Sequence, residues 1–206
     1  MKKVFIYGEK QYYKNYYIWV KKAGAIPVFS TDLAVAPHCD GLLLTGGGDI
    51  SPCLYKHGTL CSGLNCVDLN RDVIEQYLIY LFTRKSKAIF GVCRGLQAIN
   101  VFFGGTLTNI DNDFLHKKAK GDLIHQVINF GGFMQEIYGQ KCQVNSCHHQ
   151  AICRLGNDLF TCSRSEDGII EAIQGKGNKI IATQFHPERM NGYGDALFDY
   201  FLQKCV

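Results

Sequence analysis

The sequence predicts an α/β domain built on a mainly parallel central sheet. Short apolar segments alternate with segments of helical periodicity through the first hundred residues. Two of the apolar segments, 41–45 and 87–92, are almost free of polar side chains, which is typical of parallel strands buried on both faces. Because the chain shows no internal repeat, low-complexity tract or linker, residues 1–206 are expected to form one domain.

The first half is expected to supply four strands and three helices. The first helix, over 11–23, carries tyrosines at spacings that favour a packed helix face over a base-stacking platform. Asp68 or Asn70 can cap the second helix, which runs to about Arg84 after a loop over 51–67. The expected apolar face of that helix consists of Val73, Tyr77, Leu78 and Leu81. The third helix runs from Cys93 to Phe102, and the strands are expected at 3–8, 25–29, 41–45 and 87–92.

The second half is richer in strand signals. Segments 122–130 and 142–145 are expected to be strands on either side of a Gly-Gly turn, and 159–163 is expected to be another strand. Segments 168–173 and 179–185 are expected to pair as a hairpin across 175–178. A helix over 194–204 closes the chain.

Composition excludes several classes of function. The net charge of +4 is mild, and the densest basic run, 117–120, is interpreted as a solvated loop, so no nucleic-acid partner is expected. No secretory signal is visible, and no apolar run approaches the roughly 18 residues that span a bilayer, so we expect a cytoplasmic protein without a membrane partner. The ten cysteines are then expected to be free thiols. Cys61 and Cys66 lack the second pair that a zinc site needs.

One cysteine stands at a position that suits a nucleophile. Cys93 lies between an expected buried strand and an expected helix, with Gly91 and Gly95 leaving room for a sharp turn. A helix N-terminus stabilises a thiolate, and the backbone N–H of Arg94 can point at a developing oxyanion. The G-x-C-x-G pattern alone does not exclude a structural cysteine at a tight turn.

A histidine and a carboxylate supply the remaining parts. His186 follows an apolar strand, and Glu188 comes two residues later. Pro187 fixes the backbone between them, so that both side chains can face one pocket. His186 would take the thiol proton and later protonate a leaving amine, while Glu188 orients the imidazole.

These residues lie in segments that resemble class I glutamine-amidotransferase-like cysteine hydrolases. Segments 91–97 and 184–188 resemble the nucleophile elbow and the His-Pro-Glu signature of that family. Segment 45–52 resembles the G-G-G-D-[IV]-x-P loop of its γ-glutamyl-γ-aminobutyrate hydrolase branch, and 144–152 resembles the V-N-S-x-H-H-Q-A-I segment of that branch. Further agreement comes from Asp68-x-x-Arg71-Asp72-x-x-Glu75, Asn100 with 104–107, and Asp167-Gly168-x-x-Glu171-Ala172-Ile173.

The resemblance implies a flavodoxin-like three-layer α/β/α sandwich and a catalytic triad of Cys93, His186 and Glu188. It implies an oxyanion hole from the backbone of Gly47 and Arg94, a γ-glutamyl thioester on Cys93, and release of glutamate by water. The substrate-binding residues that it implies are Gly48, Gln97, Asn145, Ser146, His148 and His149. Either histidine could equally be structural. No metal or organic cofactor is called for.

The amine end of the substrate is left open. The chain is shorter than usual members around the first helix and after Pro52, where the leaving-group pocket is normally built. One candidate is a small γ-glutamyl amine, such as γ-glutamyl-γ-aminobutyrate. The other is γ-glutamyl-CDP-amidate of capsule phosphoramidate synthesis, whose compact hydrolase the chain resembles, with Arg189 and 117–120 meeting the diphosphate by charge.

Two other functions stay open. A glutaminase subunit that delivers ammonia to a separate synthase would use the same chemistry at Cys93, although the H-H-Q-A-I segment is typical of stand-alone hydrolases. A non-catalytic or redox-sensing protein on the same fold would not require His186-Pro187-Glu188. The expected partner is a small-molecule γ-glutamyl substrate, and the oligomeric state, a homo-oligomer included, is not determined by the sequence.

Overall fold

The computed structural model describes residues 1–55, 64–110, 116 and 121–205. The strands are β1 (Lys3–Tyr7), β2 (Ile26–Ser30), β3 (Gly41–Leu44), β4 (Ala88–Val92), β5 (Thr106–Asn109), β6 (Leu123–Asn129), β7 (Lys141–Ser146), β8 (Gln150–Arg154), β9 (Leu159–Ser165), β10 (Ile170–Gly175) and β11 (Ile180–Thr183). The helices are α1 (Lys14–Lys22), α2 (Leu69–Arg84), α3 (Arg94–Phe102), α4 (Gly132–Tyr138) and α5 (Asp195–Lys204).

Within these described residues one large sheet has the strand order β2-β1-β3-β4-β11-β10-β9-β6-β7. The strands from β2 to β11 are parallel, as the uniformly apolar segments predicted. From β11 to β7 every pairing is antiparallel, and β10 and β11 form the expected hairpin. The carboxyl ends of β3, β4 and β11 therefore meet at one edge, where parallel sheets place their sites. Strands β5 and β8 pair separately.

Helices cover both faces of the parallel strands, which makes three layers. Successive residues of β4 point to opposite faces, so Phe90 packs on one side and Ile89 on the other. On the first side, the Trp19 ring of α1 lies 5.5 Å from that of Phe90 and 4.6 Å from that of Phe198 in α5. On the second side, Ile89 belongs to the same apolar cluster as the buried residues of α2 and α3. The predicted α/β fold is confirmed.

Two expectations about helices are wrong. Val73 and Tyr77 of α2 are 56% and 47% exposed, because the buried face of this helix also carries Asp72 and Glu75. An apolar pattern cannot reveal a face that includes buried carboxylates. The Gly-Gly segment after β6 leads into α4 rather than a simple turn, and Phe133 is buried in the core.

The helix ends, the cysteines and the lengths of the helices can also be compared with what the sequence predicts. Helix α1 begins at Lys14, after a short 3-10 helix over Lys10–Tyr12, and Asp68 caps α2 by accepting from the backbone N–H of Arg71 at 3.0 Å. The nine cysteines that the structure describes are free thiols, and Cys61 lies outside the described residues. Among the described helices, none is long and apolar enough to cross a membrane.

Candidate active site

The backbone of Cys93 takes a conformation that few side chains adopt. Cys93 lies between β4 and α3 with φ 53° and ψ −103°, and its backbone N–H donates to the carbonyl of Thr183 in β11 at 2.7 Å. A Cβ at Gly91 would come within 2.6 Å of the Gly95 backbone, and a Cβ at Gly95 would collide with the carbonyl of Leu44. Glycine at both positions therefore lets the strand, the helix and β3 pack closely enough to hold this strained turn.

The imidazole of His186 interacts with both Glu188 and Cys93. Its Nδ1 lies 2.8 Å from Glu188 Oε1, and the Cys93 side chain acts on the same ring electrostatically. The short 3-10 helix Pro187–Arg189 turns Glu188 back onto the ring. Burial lowers the pKa of His186, but Cys93 and Glu188 together raise it to about 10. A pKa this high keeps the His186 ring protonated at neutral pH.

Asn145 holds the backbone of His186. Its Oδ1 accepts from the His186 N–H at 2.9 Å, and its Nδ2 donates to the His186 carbonyl at 2.9 Å. The same Nδ2 donates to Asp122 Oδ2 at 2.8 Å. The structure thus places Asn145, expected from the resemblance to bind substrate, behind His186.

A buried charge cluster stands behind the turn at Cys93. The guanidinium of Arg94 pairs with Asp72 and Glu75 of α2, and Arg71 pairs with Glu75 at 2.7 Å. Burial raises the pKa of the Asp72 carboxyl, although the Ser51 N–H and Arg94 oppose this. These ion pairs thus fix the side chain of Arg94. Arg94 is the first residue of α3 and directly follows Cys93.

The same cluster fixes the glycine loop after β3. Arg71 Nη2 donates to the carbonyls of Thr45 at 3.0 Å and Gly46 at 3.2 Å. A Cβ at Gly47 would collide with the Arg71 guanidinium. Gly48 lies against the backbone of Cys66, where a Cβ would also collide. Of the two glycines expected in the site, Gly47 therefore borders the charge cluster and Gly48 the segment that carries Cys66.

Tyr16 of α1 contacts the glycine loop beside His186. Its hydroxyl accepts from the Gly46 N–H at 2.9 Å, and a Cβ at Gly46 would lie 2.9 Å from His186 Cε1. Burial raises the pKa of Tyr16 well above its ordinary value, and the Glu188 carboxylate adds to that effect. The hydroxyl therefore stays protonated.

Gln97 and Gln184 form a buried network next to the sulfur. Gln184 Nε2 lies 3.6 Å from Cys93 Sγ, and its Oε1 accepts from Gln97 Nε2 at 3.3 Å. Gln97 Nε2 also donates to the Gln150 carbonyl at 3.2 Å. Gln97 thus lies one turn from Cys93, as expected, and is held from β8 and from Gln184, which follows β11.

Three further predicted residues lie in other surroundings. Ser146 donates to the carbonyl of His116 at 3.0 Å. The His148 ring contacts the Gln150 carbonyl at 3.1 Å and Glu171 at 3.5 Å, in a second buried cluster. The third residue is His149, whose Nε2 lies 3.0 Å from Asp49 Oδ2 and links this segment to the loop after β3.

A cleft of about 470 Å³ leads to this group from the surface. It is lined by residues 11–16, Gly46, Gly47, Arg71, His186, Glu188 and Arg189. Arg189, at 37% side-chain exposure, donates to Asp122 at 2.9 Å and lies 3.4 Å from Glu188. Its charge is therefore shared between two carboxylates. The basic run 117–120 lies outside the described residues.

Sequence reasoning gave no role to three residues that the structure brings to the site. Tyr16 was visible only as one of several tyrosines on an expected packing face. Gln184 is the first residue of segment 184–188. Its position two residues before His186 is the one sequence signal that could have placed it near the site. Asp122 has no local signal, because its partners Asn145 and Arg189 are distant in sequence.

Comparison with known proteins places this geometry in a family. The model described as Peptidase C26 matches residues 1–188. A Schizosaccharomyces pombe protein provisionally named a glutamine amidotransferase is 34% identical over 83% of this chain and 72% of its own length. The Campylobacter jejuni γ-glutamyl-CDP-amidate hydrolase is 30% identical over 73% of this chain and 63% of its own length.

A solved structure shares the fold. A Thermoplasma acidophilum protein, provisionally named as part of a GMP synthase, has a TM-score of 0.72 and 20% identity. The match covers 100% of this chain and 94% of the other, which shows a common fold. With the family match over residues 1–188, the chain belongs to the peptidase C26 family of class I glutamine amidotransferase-like proteins.

Proposed function

We propose that this protein hydrolyses a γ-glutamyl amide through a γ-glutamyl thioester on Cys93. The observation that carries the proposal is the position of His186, whose Nδ1 lies 2.8 Å from Glu188 Oε1 and whose pKa is raised by the neighbouring Cys93. A nucleophile, a base and an orienting carboxylate in contact are the requirements for acyl transfer without a cofactor.

The first half of the reaction makes the thioester. The Cys93 thiolate attacks the γ-carbonyl carbon, and the carbonyl π electrons move onto oxygen. The oxyanion is stabilised by the backbone N–H groups of Gly47 and Arg94, which the charge cluster holds in place before the substrate arrives. The intermediate then collapses: the C–N bond breaks, and the leaving nitrogen takes the His186 proton.

The second half releases glutamate. With the amine gone, neutral His186 takes a proton from water, and the resulting hydroxide attacks the thioester carbon. The C–S bond breaks, glutamate leaves, and His186 again faces the Cys93 thiolate. Glu188 keeps the imidazole oriented through both halves. Among the other predicted residues, Gln97 is the one whose buried amide, beside Gln184, is suited to holding the glutamyl group.

The leaving group would lie in the cleft beside α1. Lys14 makes this wall basic, whereas the charge of Arg189 is shared with Asp122 and Glu188. A basic wall favours an anionic leaving group. The name of the C. jejuni relative, γ-glutamyl-CDP-amidate hydrolase, also supports an anionic leaving group. We therefore place γ-glutamyl-CDP-amidate first among candidate substrates and a small γ-glutamyl amine, such as γ-glutamyl-γ-aminobutyrate, second.

The test is glutamate release from purified protein given γ-glutamyl-CDP-amidate, γ-glutamyl-γ-aminobutyrate, a γ-glutamyl polyamine or glutamine. Cys93→Ala should lower turnover of the true substrate by at least about 1,000-fold. Cys162→Ala is the matched control, because burial raises the pKa of Cys162 to about 12 and keeps that thiol neutral. Equal rates for wild type and Cys93→Ala would contradict the proposal.

Other outcomes identify the alternatives. Glutamine hydrolysis that appears only when a synthase is added would indicate a glutaminase subunit. Oxidation of Cys93 by peroxide, without turnover of any compound in the panel, would indicate a redox sensor.

A further inference from the structure

A second group of titratable side chains lies buried where the antiparallel strands meet His116. It consists of His116, His125 on β6, His148 between β7 and β8, and Glu171 on β10. Glu171 is completely buried, and the exposed fractions of the His116 and His148 side chains are 1% and 2%. The mechanism proposed above uses none of these groups.

Hydrogen bonds assign the protons of two of the rings. His148 Nδ1 lies 3.1 Å from the Gln150 carbonyl, which can only accept, so Nδ1 carries the proton. The remaining Nε2 lone pair then faces Glu171 Oε1 at 3.5 Å. His116 Nε2 lies 2.8 Å from Asp167 Oδ2 in the same way, which leaves the Nδ1 lone pair 3.5 Å from Glu171 Oε1.

Lone pairs therefore converge on a carboxylate. Within the described part of the chain, both oxygens of Glu171 and His148 Nε2 lack a hydrogen bond of good geometry. Ser146 does not supply the missing proton, because its hydroxyl donates to the His116 carbonyl at 3.0 Å. Acceptors gathered around a buried carboxylate repel one another unless a positive charge lies between them.

The spacing of the group suits a tetrahedral metal ion. His116 Nδ1, His125 Nε2 and His148 Nε2 lie 3.5, 3.3 and 3.5 Å from Glu171 Oε1. A tetrahedral zinc ion with bonds of about 2.1 Å holds its ligand atoms about 3.4 Å apart. The ligand atoms of His116, His148 and Glu171 all lie within 4.8 Å of one another. His125 lies outside that group of three, so its ring, 3.3 Å from Glu171 Oε1, would have to move toward the other two histidines to become the fourth ligand.

We infer that His116, His125, His148 and Glu171 bind one Zn²⁺ ion. Imidazole-rich donor sets suit Zn²⁺ and disfavour Mg²⁺ and Ca²⁺, which prefer oxygen. Asp167 and the Gln150 carbonyl accept from the outer ring nitrogens, the arrangement that orients metal-bound histidines and sets their tautomers.

The ion has a path from the surface. A cleft of about 440 Å³ is lined by His116, His125 and Asp167, among other residues. Four protein ligands would leave no open coordination position, so the ion is structural rather than catalytic. It would join His116 to β10, whose Glu171 carbonyl accepts from the Gln184 N–H at 2.8 Å next to Cys93. The inference does not depend on the proposed reaction.

The test measures metal content and affinity in the full-length chain. Protein stripped with a chelator is given Zn²⁺ or Co²⁺, bound metal is counted by atomic absorption, and the Co²⁺ spectrum is recorded. We expect one ion per chain, a Tm that rises with Zn²⁺ but not with Mg²⁺, and a Co²⁺ spectrum with visible bands but without thiolate charge transfer. The spectrum excludes binding by the surface cysteines.

Matched variants separate the site from general binding. Glu171→Gln should fold, because its amide can donate to the ring lone pairs, and should bind metal more than about 100-fold more weakly. Asp167→Asn should weaken binding by about 10–100-fold, and His38→Gln, at a histidine outside this cluster, should not change it. Absence of stoichiometric metal from folded wild type, or equal affinity in wild type and folded Glu171→Gln, would overturn the inference and indicate a proton between the histidines and Glu171.

Discussion

The double hydrogen bond from Asn145 to the His186 backbone predicts a specific effect of Asn145→Ala. The substitution removes the acceptor of the His186 N–H and a donor to its carbonyl, both in a buried setting. Each unsatisfied group costs about 1–3 kcal/mol, so we expect a loss of about 4 kcal/mol in unfolding free energy. For a domain of this size that lowers Tm by about 8–16 °C.

The effect on turnover should be larger than the loss of folded protein explains. Release of the His186 backbone displaces the imidazole, and a displacement of about 1 Å costs about 100-fold in rate. We therefore expect kcat to fall about 100-fold at a temperature where the variant is fully folded, with KM nearly unchanged. Steady-state kinetics on the substrate found in the panel, with Tm from calorimetry, provide both quantities.

Asn129→Ala is the matched control. Asn129 is also buried in the large sheet, and its Nδ2 donates to the Gly139 carbonyl at 2.8 Å, with contacts outside the Cys93–His186–Glu188 group. It should lose about 1–3 kcal/mol of stability with kcat unchanged. Equal kcat in the two variants would refute the positioning role. A raised KM with unchanged kcat in Asn145→Ala would instead indicate that this side chain contacts substrate.

Three further predictions concern the same site. Because Cys93 and Glu188 raise the pKa of His186 to about 10, its ring should stay an imidazolium until the pH rises through that value, which NMR titration of the ring signals should show. Glu188→Gln should lower the pH at which the ring loses its proton, and an unchanged titration in that variant would contradict the assignment. Arg94→Met leaves the buried Asp72 carboxylate without its cation and Glu75 paired with Arg71 alone, and it should cost about 3–5 kcal/mol in urea unfolding. Gly46→Ala places a Cβ 2.9 Å from His186 and should lower kcat at least about 10-fold with little change in Tm.

Local patterns predicted the parts of the fold that have local causes. The parallel strands β3 and β4 are uniformly apolar because both of their faces are covered, and the β10–β11 hairpin is marked by its turn residues. Helix α4 is too short to show a helical period of apolar residues, and its glycines favour a turn. The packing of Phe133 in the core, which local sequence does not reveal, favours the helix instead. Strands β5 and β8 have four and five residues, and among the described strands they pair with each other rather than with the large sheet.

The residues of the site also differ in whether their neighbours in sequence predict their positions. Cys93 and His186 stand next to apolar strands, and Glu188 follows at a spacing that Pro187 restricts, so their positions could be predicted from neighbouring residues. The surroundings of Asn145 and His148 could not. Each belongs to the segment after β6 that resembles a substrate-binding motif, but Asn145 contacts His186, and His148 contacts His116 and Glu171 of β10. Contacts between residues far apart in sequence decide whether a polar side chain faces the substrate or the protein.

Buried charge near Cys93 serves backbone position rather than chemistry. Arg94 and Arg71 are each neutralised by carboxylates of α2, a pairing whose desolvation cost leaves little net stability. The ion pairs instead fix the positions of the two arginines. Arg71 donates hydrogen bonds to the carbonyls of the glycine loop, and Arg94 is the first residue of α3. In the proposed reaction the N–H groups of Gly47 and Arg94 would receive the oxyanion, and these interactions, which exist before substrate binds, would spare the site reorganisation when charge develops. A polar but uncharged cluster could stabilise the fold equally well and would hold those two N–H groups less firmly.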